Sequence, residues 1–575
     1  MKKILMLAAL MAALTGCKEK PVDPEPMTEL GVPQNVVLHS ATETSLTFQW
    51  KAVEGAGFYV WKLTLDGNAV AQGTSGTRNV SIPDLRKGTT YFFSVCAGEG
   101  QRYSPWSEPI EARTEGTAPE PGSDRICVDA ALVLELDAVP VLGAAGIIRI
   151  FTSGGTEADR IDLADMAMMK RRDDGFTVPA EQLTSDSKFH TFLDALPCDG
   201  NWRPVHCTPI SVDGKSLIVR PHSGVLDFDT EYYVTVDAGV IEGHDGIGEG
   251  EWKFTTAGAP SDASSLRVAA DGSGDFCTIQ RAIDFAAKSG AVISIANGTY
   301  HELLYARDKT GLTLKGESRE GVRISYPNNE SYENGSGSHT SARPALGSKL
   351  GASGGRGVFL VENCDNLTLQ DLTLENSFGE LKGQAEAIYF NSGSNSHRLT
   401  VENCSLLSYQ DTFLCKGVVW VHNSLIAGHC DFIWGYPKAC LFEDCEIRSR
   451  DAGYIVQARV QSASDKGFVF LNCRLTAEDG VKDGSMYLAR SSGQSECWDN
   501  VTYIGCTMAP VIAPVGWKAS PAPNPSSPTA GSGWKEYGSV TSSGTDATSG
   551  RNAFGKVLTS AEAAPYSSRQ AVLGW

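Results

Sequence analysis

The sequence is poor in cysteine and positive charge, and it lacks the common metal-binding motifs. Fifteen cysteines in 575 residues are far below the density of a disulfide scaffold. No C-x-x-C pair and no H-E-x-x-H segment is present, so we expect neither a metal site nor another cofactor. The formal net charge of −19 argues against nucleic acid as a partner, because binding to phosphates requires clustered positive charge.

The length and composition indicate several turn-rich domains. A chain of 575 residues suggests about four domains. Hydrophobic residues make up 41% and charged residues 20%, so most of the chain can bury a core. Sixty glycines and 26 prolines favour strands and turns over long helices.

The first 17 residues resemble a bacterial lipoprotein signal. Lys2 and Lys3 precede the apolar run 4–14, which is too short to span a bilayer. The run ends in Leu14-Thr-Gly-Cys17, which is similar to a lipobox. We therefore expect residues 1–17 to direct lipidation of Cys17 and residues 18–30 to form a tether. The expected location is the cell envelope, with the lipid in the outer membrane and the protein facing the periplasm or the outside. The alternative is an ordinary signal peptide with a chance cysteine.

Two linkers rich in small residues divide the rest of the chain into three parts, at 116–123 and 257–264. Residues 31–115 contain short alternating strands, and Trp50, Leu85 and Tyr91 resemble core positions of a fibronectin type III module. Residues 124–258 are also strand-rich, and their C-terminal part resembles bacterial Ig-like modules. We expect two β-sandwiches whose aromatic residues lie in the core.

Residues 264–575 show a repeat typical of stacked coils. Cys364, Cys404 and Cys445 follow similar Glu-Asn or Glu-Asp pairs at spacings of 40 and 41 residues, with a related segment midway between the last two. A period near 20 predicts a right-handed parallel β-helix, which makes the whole protein all-β. The recurring cysteines are expected to stack as buried thiols. The segment 278–286 has helical periodicity and is expected to cap the first coil.

Two aspartates are separated by one such period. Asp411 lies 20 residues before Asp431, so stacking would bring their carboxylates within about 5 Å. Two carboxylates that close cannot both ionise easily, which gives a protonated acid beside a nucleophile. Gln384 and Gln410 offer neutral amide donors for a developing oxyanion. Each residue taken alone is more often a turn or surface residue, and only the combination indicates catalysis.

Residues 264–575 resemble the pectin methylesterase family. The segments similar to family motifs are Gly298–Glu302 (G-x-Y-x-E), Gln384–Ile388 (Q-A-V-A-L), Gln410–Thr412 (Q-D-T), Asp431–Gly435 (D-F-I-F-G), Tyr487–Arg490 (Y-L-G-R), Gly516-Trp517 and Glu536-Tyr537. The resemblance implies a parallel β-helix that hydrolyses galacturonate C6 methyl esters in pectin (homogalacturonan) without a metal. It makes Asp431 the nucleophile, Asp411 the acid and base, Gln384 and Gln410 the oxyanion donors, and Arg490 the partner of Asp431.

One departure concerns substrate binding. The family continues Arg-Pro-Trp, whereas Arg490 is followed here by Ser491, Ser492 and Gly493. The missing ring would stack on a galacturonate, and Trp434 or Trp498 is expected to supply an aromatic face instead. Phe432 and Tyr300 are further expected substrate contacts. We expect the protein to act as a monomer on methyl-esterified pectin.

Other functions fit the sequence less well. Gly351–Gly355 matches the serine-esterase motif G-x-S-x-G but lies in a Gly/Ser-rich segment rather than a strand–turn–helix. Asp271–Asp275 is weakly similar to a calcium loop, but Ala282 stands where a Glu ligand is needed. A pectate lyase or polygalacturonase would need other acidic clusters. A surface glycan-binding lipoprotein with weak catalysis is the alternative from another class.

Overall fold

The computed structural model describes residues 30–41, 45–65, 67–86, 88–114, 116–136, 138–164, 170–172, 175–177, 193–330, 333, 337, 339–341, 354–379 and 383–575. The predicted signal, the lipobox with Cys17, and residues 351–353 of the G-x-S-x-G segment lie outside these ranges. The chain forms two compact units that divide between residues 115 and 116. In the described ranges, no helix has the length and apolar character needed to cross a membrane.

The N-terminal unit is a sandwich of two antiparallel sheets. Its strands β1–β8 span, in order, Val37–Ala41, Leu46–Gln49, Phe58–Leu65, Asn68–Ser75, Asn79–Ile82, Thr90–Glu99, Arg102–Tyr103 and Ile110–Arg113. One sheet has the order β1-β2-β5 and the other β4-β3-β6-β7, with β8 on β6. Trp50 and Tyr91 are buried in the core, and the Tyr91 hydroxyl accepts a hydrogen bond from the Arg86 N–H at 2.9 Å. The predicted β-sandwich with these two core residues is confirmed.

The middle module contains two further sheets and two hairpins. Strands β9–β21 span Gly116–Ala118, Ser123–Ile126, Leu132–Glu135, Ile147–Thr152, Glu157–Asp162, Lys170–Arg172, Gly175–Thr177, Leu193–Cys198, Asn201–His206, Ile210–Asp213, Ser216–Val219, Glu231–Val236 and Ile247–Thr256. The sheets have the orders β10-β21-β20-β12-β13 and β18-β19-β11-β9, and the hairpins are β14–β15 and β16–β17. The predicted aromatics Tyr232, Trp252 and Phe254 are buried. The Ig-like class of this module stays a prediction.

The remaining residues form a continuous stack of parallel strands. Strands β22–β44 span Ser265–Val268, Val292–Ile295, Gly298–Tyr300, Leu304–Arg307, Thr313–Gly316, Val322–Tyr326, Phe359–Glu362, Leu367–Gln370, Thr373–Asn376, Ile388–Asn391, Arg398–Glu402, Ser405–Leu407, Phe413–His422, Leu425–Glu443, Glu446–Ala458, Gly467–Leu471, Arg474–Ala477, Met486–Ser491, Val501–Ile504, Thr507–Met508, Trp534–Tyr537, Val540–Thr541 and Gly555–Val557. Helices are α1 (Ile279–Phe285), α2 (Ser560–Ala563) and α3 (Arg569–Leu573), with a 3₁₀ turn at Ala564–Tyr566.

These strands stack in parallel ladders, as a β-helix requires. One ladder runs through Val401, Val421, Phe442, Phe470 and Tyr503, each paired with the next. The apolar side chains of this ladder are buried, which explains the repeated short apolar runs of the sequence. Helix α1 begins after its N-cap Thr278 and packs on the first strands of the stack. The all-β, parallel β-helix architecture and the capping helix are therefore confirmed.

The coils differ in length, so the predicted period near 20 holds for some coils and not for others. Paired positions are 20 residues apart between Val401 and Val421 and 21 apart between Val421 and Phe442, but 33 apart between Phe470 and Tyr503. Cys364 does not occupy the corner of Cys404, because the bridge between Thr310 and Asp365 places it elsewhere on the coil. The 40-residue spacing of these two cysteines therefore does not measure two coils.

One corner of the helix explains the recurring Asn and Asp residues. Asn403, Asn423, Asp444 and Asn472 have φ values of 50°, 47°, 54° and 54°, in the left-handed region that Asn and Asp tolerate better than most residues. The cysteines at this corner are buried and form no disulfide: Cys404, Cys445 and Cys473. The prediction of interior thiols rather than disulfides is confirmed for these positions.

The middle module is joined to the β-helix rather than tethered to it. The Arg203 side chain of β17 is fully buried, and its guanidinium donates five hydrogen bonds, at 2.5–3.2 Å, to carbonyls of the β-helix part: Leu304, Gly354, Gly355, Gly357 and Val358. One hydrophobic core runs through both parts. The two parts on either side of the 257–264 linker therefore share one core and one compact unit, and the predicted domain bounds 124–258 and 264–575 stay a prediction.

Candidate active site

Three carboxylates occupy successive coils at one level of the β-helix. The bridge between Gln410 and Cys430 and the pair Phe413–Ile433 align Asp411 with Asp431. Backbone hydrogen bonds from Ala385 to Gln410 and from Ala387 to Thr412 bring Glu386 to the level of Asp411 on the preceding coil. Asp411 and Asp431 both have left-handed backbone, with φ values of 65° and 49°. The spacing argument that made the two aspartates neighbours therefore describes the observed register.

Asp431 is held by an arginine and an amide. Arg490 Nε donates to both carboxylate oxygens at 2.8 and 2.9 Å, and Nη2 donates to Oδ2. Gln457 Nε2 donates to Oδ2 at 2.7 Å. The hydrogen bond to Asp431 raises the pKa of the Arg490 guanidinium. These charge-assisted contacts favour the ionised carboxylate, which is the form that can act as a nucleophile.

Asp411 lies in a different environment. Its side chain is as deeply buried as that of Asp431, but its contact with a cation is longer: Arg356 Nη2 lies 3.4 Å from Oδ2. Burial, together with the carboxylates of Glu386 and Asp431, raises the pKa of Asp411 well above its ordinary value. A protonated Asp411 beside an ionised Asp431 is the pairing that acid-assisted nucleophilic catalysis requires.

A third arginine borders the site. Arg459 Nε donates to Gln457 Oε1 at 2.9 Å, and Nη1 donates to the Tyr436 hydroxyl at 3.1 Å. Its guanidinium lies over the Trp434 ring, 4.9 Å from the centroid. Because Gln457 accepts from Arg459 through its oxygen, its amide nitrogen is oriented toward Asp431.

The two glutamines flank the aspartates. Gln410 directly precedes Asp411, and its carbonyl accepts the Ala385 N–H at 3.1 Å. Gln384 lies one coil earlier, and its carbonyl accepts from Glu330 at 3.1 Å. Both residues are half-buried.

The predicted aromatic contacts need correction. Phe432 is fully buried and Tyr300 is 3% exposed, with its hydroxyl donating to the Ala296 carbonyl at 2.8 Å. Neither ring presents a face to solvent, so neither is placed to stack on a sugar. Trp434 is buried and packs against Arg459, whereas Trp498 is half-buried.

A different pair of rings lies beside Arg490. Tyr454 and Tyr487 are half-buried neighbours in register, with centroids 5.9 Å apart. The Arg490 guanidinium lies 5.2 Å from the Tyr454 centroid, and Lys518 Nζ lies 5.0 Å from that of Tyr487. Rings and cations grouped in this way can receive an acidic sugar.

The sequence reasoning missed Gln457, Arg459, Arg356 and Glu386. Trp434, Gln457 and Arg490 align on successive strands, although 23 and 33 residues separate them. Equal spacing could not reveal this line, because the coils it crosses differ in length. Of these four residues, only Glu386 had a signal in the sequence, because it lies inside the motif-like segment Gln384–Ile388.

One group in the described part of the chain could offer three atoms to a metal ion. The ligand atoms of Cys127, Asp129 and Cys277 lie within 4.8 Å of one another. Asp129 already accepts hydrogen bonds from the backbone N–H groups of Cys277 and Thr278 and from the Thr278 hydroxyl. Its carboxylate thereby anchors the start of α1 to the middle module.

Comparison with known proteins gives two family matches. The Pectinesterase family model matches residues 265–572, and the Fibronectin type III domain model matches residues 31–113. The chain is 33% identical to Pectinesterase 31 of Arabidopsis thaliana over 258 residues, covering 44% of this chain and 76% of that protein. It is 31% identical to Pectinesterase A of Emericella nidulans over 272 residues, covering 46% and 75%. The crystal structure of pectin methylesterase from Aspergillus niger superposes with a TM-score of 0.42 and 27% identity, covering 55% of this chain and 95% of that one.

Proposed function

The chain belongs to the pectinesterase family of carboxylic ester hydrolases, and we propose that it removes C6 methyl esters from galacturonate in pectin with Asp431 as nucleophile and Asp411 as acid. The observation that carries this proposal is the contrast between the two carboxylates. Asp431 accepts from Arg490 and Gln457, whereas Asp411 is buried with a raised pKa.

The first half of the proposed reaction forms a covalent intermediate. A carboxylate oxygen of Asp431 attacks the ester carbonyl, and the carbonyl electrons move onto its oxygen. Gln384 and Gln410 donate N–H groups to that oxyanion. As the tetrahedral species collapses, Asp411 gives its proton to the departing methoxy oxygen, so methanol leaves and an anhydride between Asp431 and galacturonate remains.

The second half restores the enzyme. Ionised Asp411 accepts a proton from water, which attacks the anhydride. The bond to Asp431 breaks, and its carboxylate returns to Arg490. The products are methanol and a galacturonic acid carboxyl group, which loses its proton to solvent, and no cofactor is consumed.

Substrate binding is proposed to use the surface formed by Tyr454, Tyr487 and Lys518. Their position beside Arg490 supports this role in place of the missing Trp. The rings can pack on sugar faces, and Lys518 can pair with a free galacturonate carboxylate on the polymer.

The test is methanol release from methylated pectin by the full-length protein and by Asp431→Asn. The amide is nearly isosteric but is not a nucleophile, so we expect no measurable turnover and an unchanged melting temperature. Asp444→Asn is the matched control, because Asp444 has similar left-handed backbone at an exposed corner where other coils carry Asn. Turnover by Asp431→Asn at the wild-type rate would remove Asp431 from the reaction.

We also propose that Cys17 carries a lipid that holds the protein in the cell envelope. The apolar run and the lipobox-like residues before Cys17 support this proposal. Cys17→Ala should move the protein from the membrane fraction to the soluble fraction. Retention of that variant in membranes would contradict lipidation at this position.

A further inference from the structure

A buried Arg–Glu pair lies directly beside the proposed acid. Arg356 Nε donates to both oxygens of Glu386 at 3.0 Å. Glu386 is fully buried, and Arg356 is 8% exposed. A buried ion pair requires substantial desolvation, so its presence next to a reacting carboxylate calls for a reason beyond stability.

Arg356 is the member of the pair that contacts Asp411. Nη2 of Arg356 lies 3.4 Å from Asp411 Oδ2, a longer separation than either of its contacts to Glu386. Glu386 is also level with Asp411 on the neighbouring coil. Asp411 therefore meets a carboxylate and a cation already engaged by that carboxylate.

The charges in the site show what this arrangement does. Arg490 pairs with Asp431, and Arg356 pairs with Glu386. Arg459 donates to the neutral groups of Gln457 and Tyr436, so an ionised Asp411 would have to share Arg356 with Glu386. Acylation removes the negative charge of Asp431, and release of the proton gives Asp411 a negative charge instead. Arg356 is then the cation closest to the new Asp411 carboxylate.

We infer that Arg356 and Glu386 are a positioning pair that controls the proton on Asp411, an inference that rests on the proposed function. Glu386 engages Arg356 so that Asp411 keeps its proton until methanol leaves. Arg356 then stabilises the Asp411 carboxylate until it takes a proton from water. The motif Q-A-V-A-L has valine at the position of Glu386, so the pair is a feature of this chain.

The pKa directions agree with this geometry. Burial raises the pKa of Glu386 to about 7, with Arg356 acting in the opposite direction. For Asp411, burial is the largest cause of the raised pKa, Glu386 and Asp431 add to it, and Arg356 and Arg459 oppose it. Glu330 also acts on the pKa of Glu386, and Tyr389 on that of Arg356. Both effects are smaller than those that Arg356 and Glu386 have on each other.

The test compares pH–rate profiles of the full-length protein and single variants. Asp411 must be protonated to act as the acid, so its pKa sets the alkaline limb of kcat. Glu386→Gln leaves the Arg356 charge unbalanced, and the limb should move to lower pH by about one unit. Arg356→Met removes the opposing cation, and the limb should move to higher pH. Shifts in the same direction, or no shift, would overturn the inference.

A second measurement separates the two halves of the reaction. In Glu386→Gln the lowered pKa of Asp411 makes its carboxylate a weaker base, so deacylation should slow by about tenfold and a methanol burst equal to the enzyme concentration should appear. In Arg356→Met the carboxylate is a stronger base but protonated Asp411 is a weaker acid, so methanol release should slow without a burst. A burst in Arg356→Met, or none in Glu386→Gln, would count against the pair.

Controls keep folding and the proposed function distinguishable. Arg323 and Glu375 form an exposed pair between neighbouring coils, and Arg323→Met or Glu375→Gln should leave the profile unchanged. The double variant Arg356→Met/Glu386→Val removes both buried charges and should melt like wild type, which shows that the single variants act through charge. If the wild-type protein releases no methanol, the proposed function is wrong. If it is active but the alkaline limb of kcat is the same in the Arg356 and Glu386 variants, only the inference about the pair is wrong.

Discussion

Arg490 reaches Asp431 across an entire coil. The line Trp434, Gln457 and Arg490 passes through three successive strands, and the guanidinium extends past Gln457 to place Nε 2.8 Å from Asp431 Oδ1. Gln457 donates to the same carboxylate from the coil between them. The carboxylate is thus fixed by two coils that have no sequence proximity to it.

Replacement of Arg490 should lower turnover without unfolding the protein. Arg490→Ala removes the guanidinium that holds the Asp431 carboxylate, so kcat should fall by about 10²–10³-fold. Arg490→Lys keeps the charge but loses the two-nitrogen fork, and its loss should be smaller. Arg474→Ala, on an exposed side chain, is the control. A kcat of Arg490→Ala equal to that of wild type would exclude Arg490 from the mechanism.

Gln457→Leu tests the amide between the arginines. The substitution removes one hydrogen bond to a charged acceptor, a change of about 1.5–3 kcal/mol, so kcat/KM should fall by about 10–100-fold. The loss should be smaller than that of Arg490→Ala. Gln570→Leu, at an exposed helical position, is the control. An unaltered kcat/KM in Gln457→Leu would limit the amide to a packing role.

Tyr487 is expected to affect binding more than chemistry. Tyr487→Ala should raise KM for methylated pectin severalfold with kcat nearly unchanged, because the ring is proposed to pack on sugar rather than on the ester. Tyr487→Phe keeps the ring and is the control. Ser492→Trp restores an aromatic residue two positions after Arg490 and should lower KM. A clash with Tyr454 or Tyr487 would instead raise KM and show that this surface is already filled.

Arg203 is predicted to be essential for the unit of residues 116–575. Arg203→Met removes five buried hydrogen bonds, and we expect the free energy of unfolding to fall by about 3–5 kcal/mol. The carbonyls of Gly355 and Gly357 keep the Asn328 amide as a donor, and that of Val358 keeps the Leu304 N–H. Arg398→Met, exposed on the β-helix, is the control. Denaturant unfolding followed by tryptophan fluorescence measures both. Equal midpoints for the two variants would show that the junction contributes nothing to stability.

The sequence predicted the features that depend on local chemistry. Apolar runs, left-handed Asn and Asp residues and the helical period of 278–286 correspond to strands, corners and α1. The pairing of Asp411 with Asp431 was also predictable, because their coil happens to have 20 residues. Wherever corners carry longer loops, spacing no longer reports neighbours, and for this reason Gln457 escaped notice.

Burial was the other property that the sequence could not supply. Phe432 follows Asp431 directly, yet alternation along the strand turns its side chain into the core. The role of Arg203 depends on a contact between residues about 150 positions apart, which neither composition nor periodicity encodes. The same limit concealed Arg356, whose partner Glu386 lies 30 residues away.

The buried guanidinium of Arg203 has a practical consequence for protein production and for domain exchange. A shortened version that starts at residue 264, where the sequence suggests a clean cut, would uncover the carbonyls that Arg203 satisfies and the apolar side of α1. A version that starts at residue 116 keeps that surface covered. In any domain exchange the middle module and the β-helix therefore have to be moved as one piece.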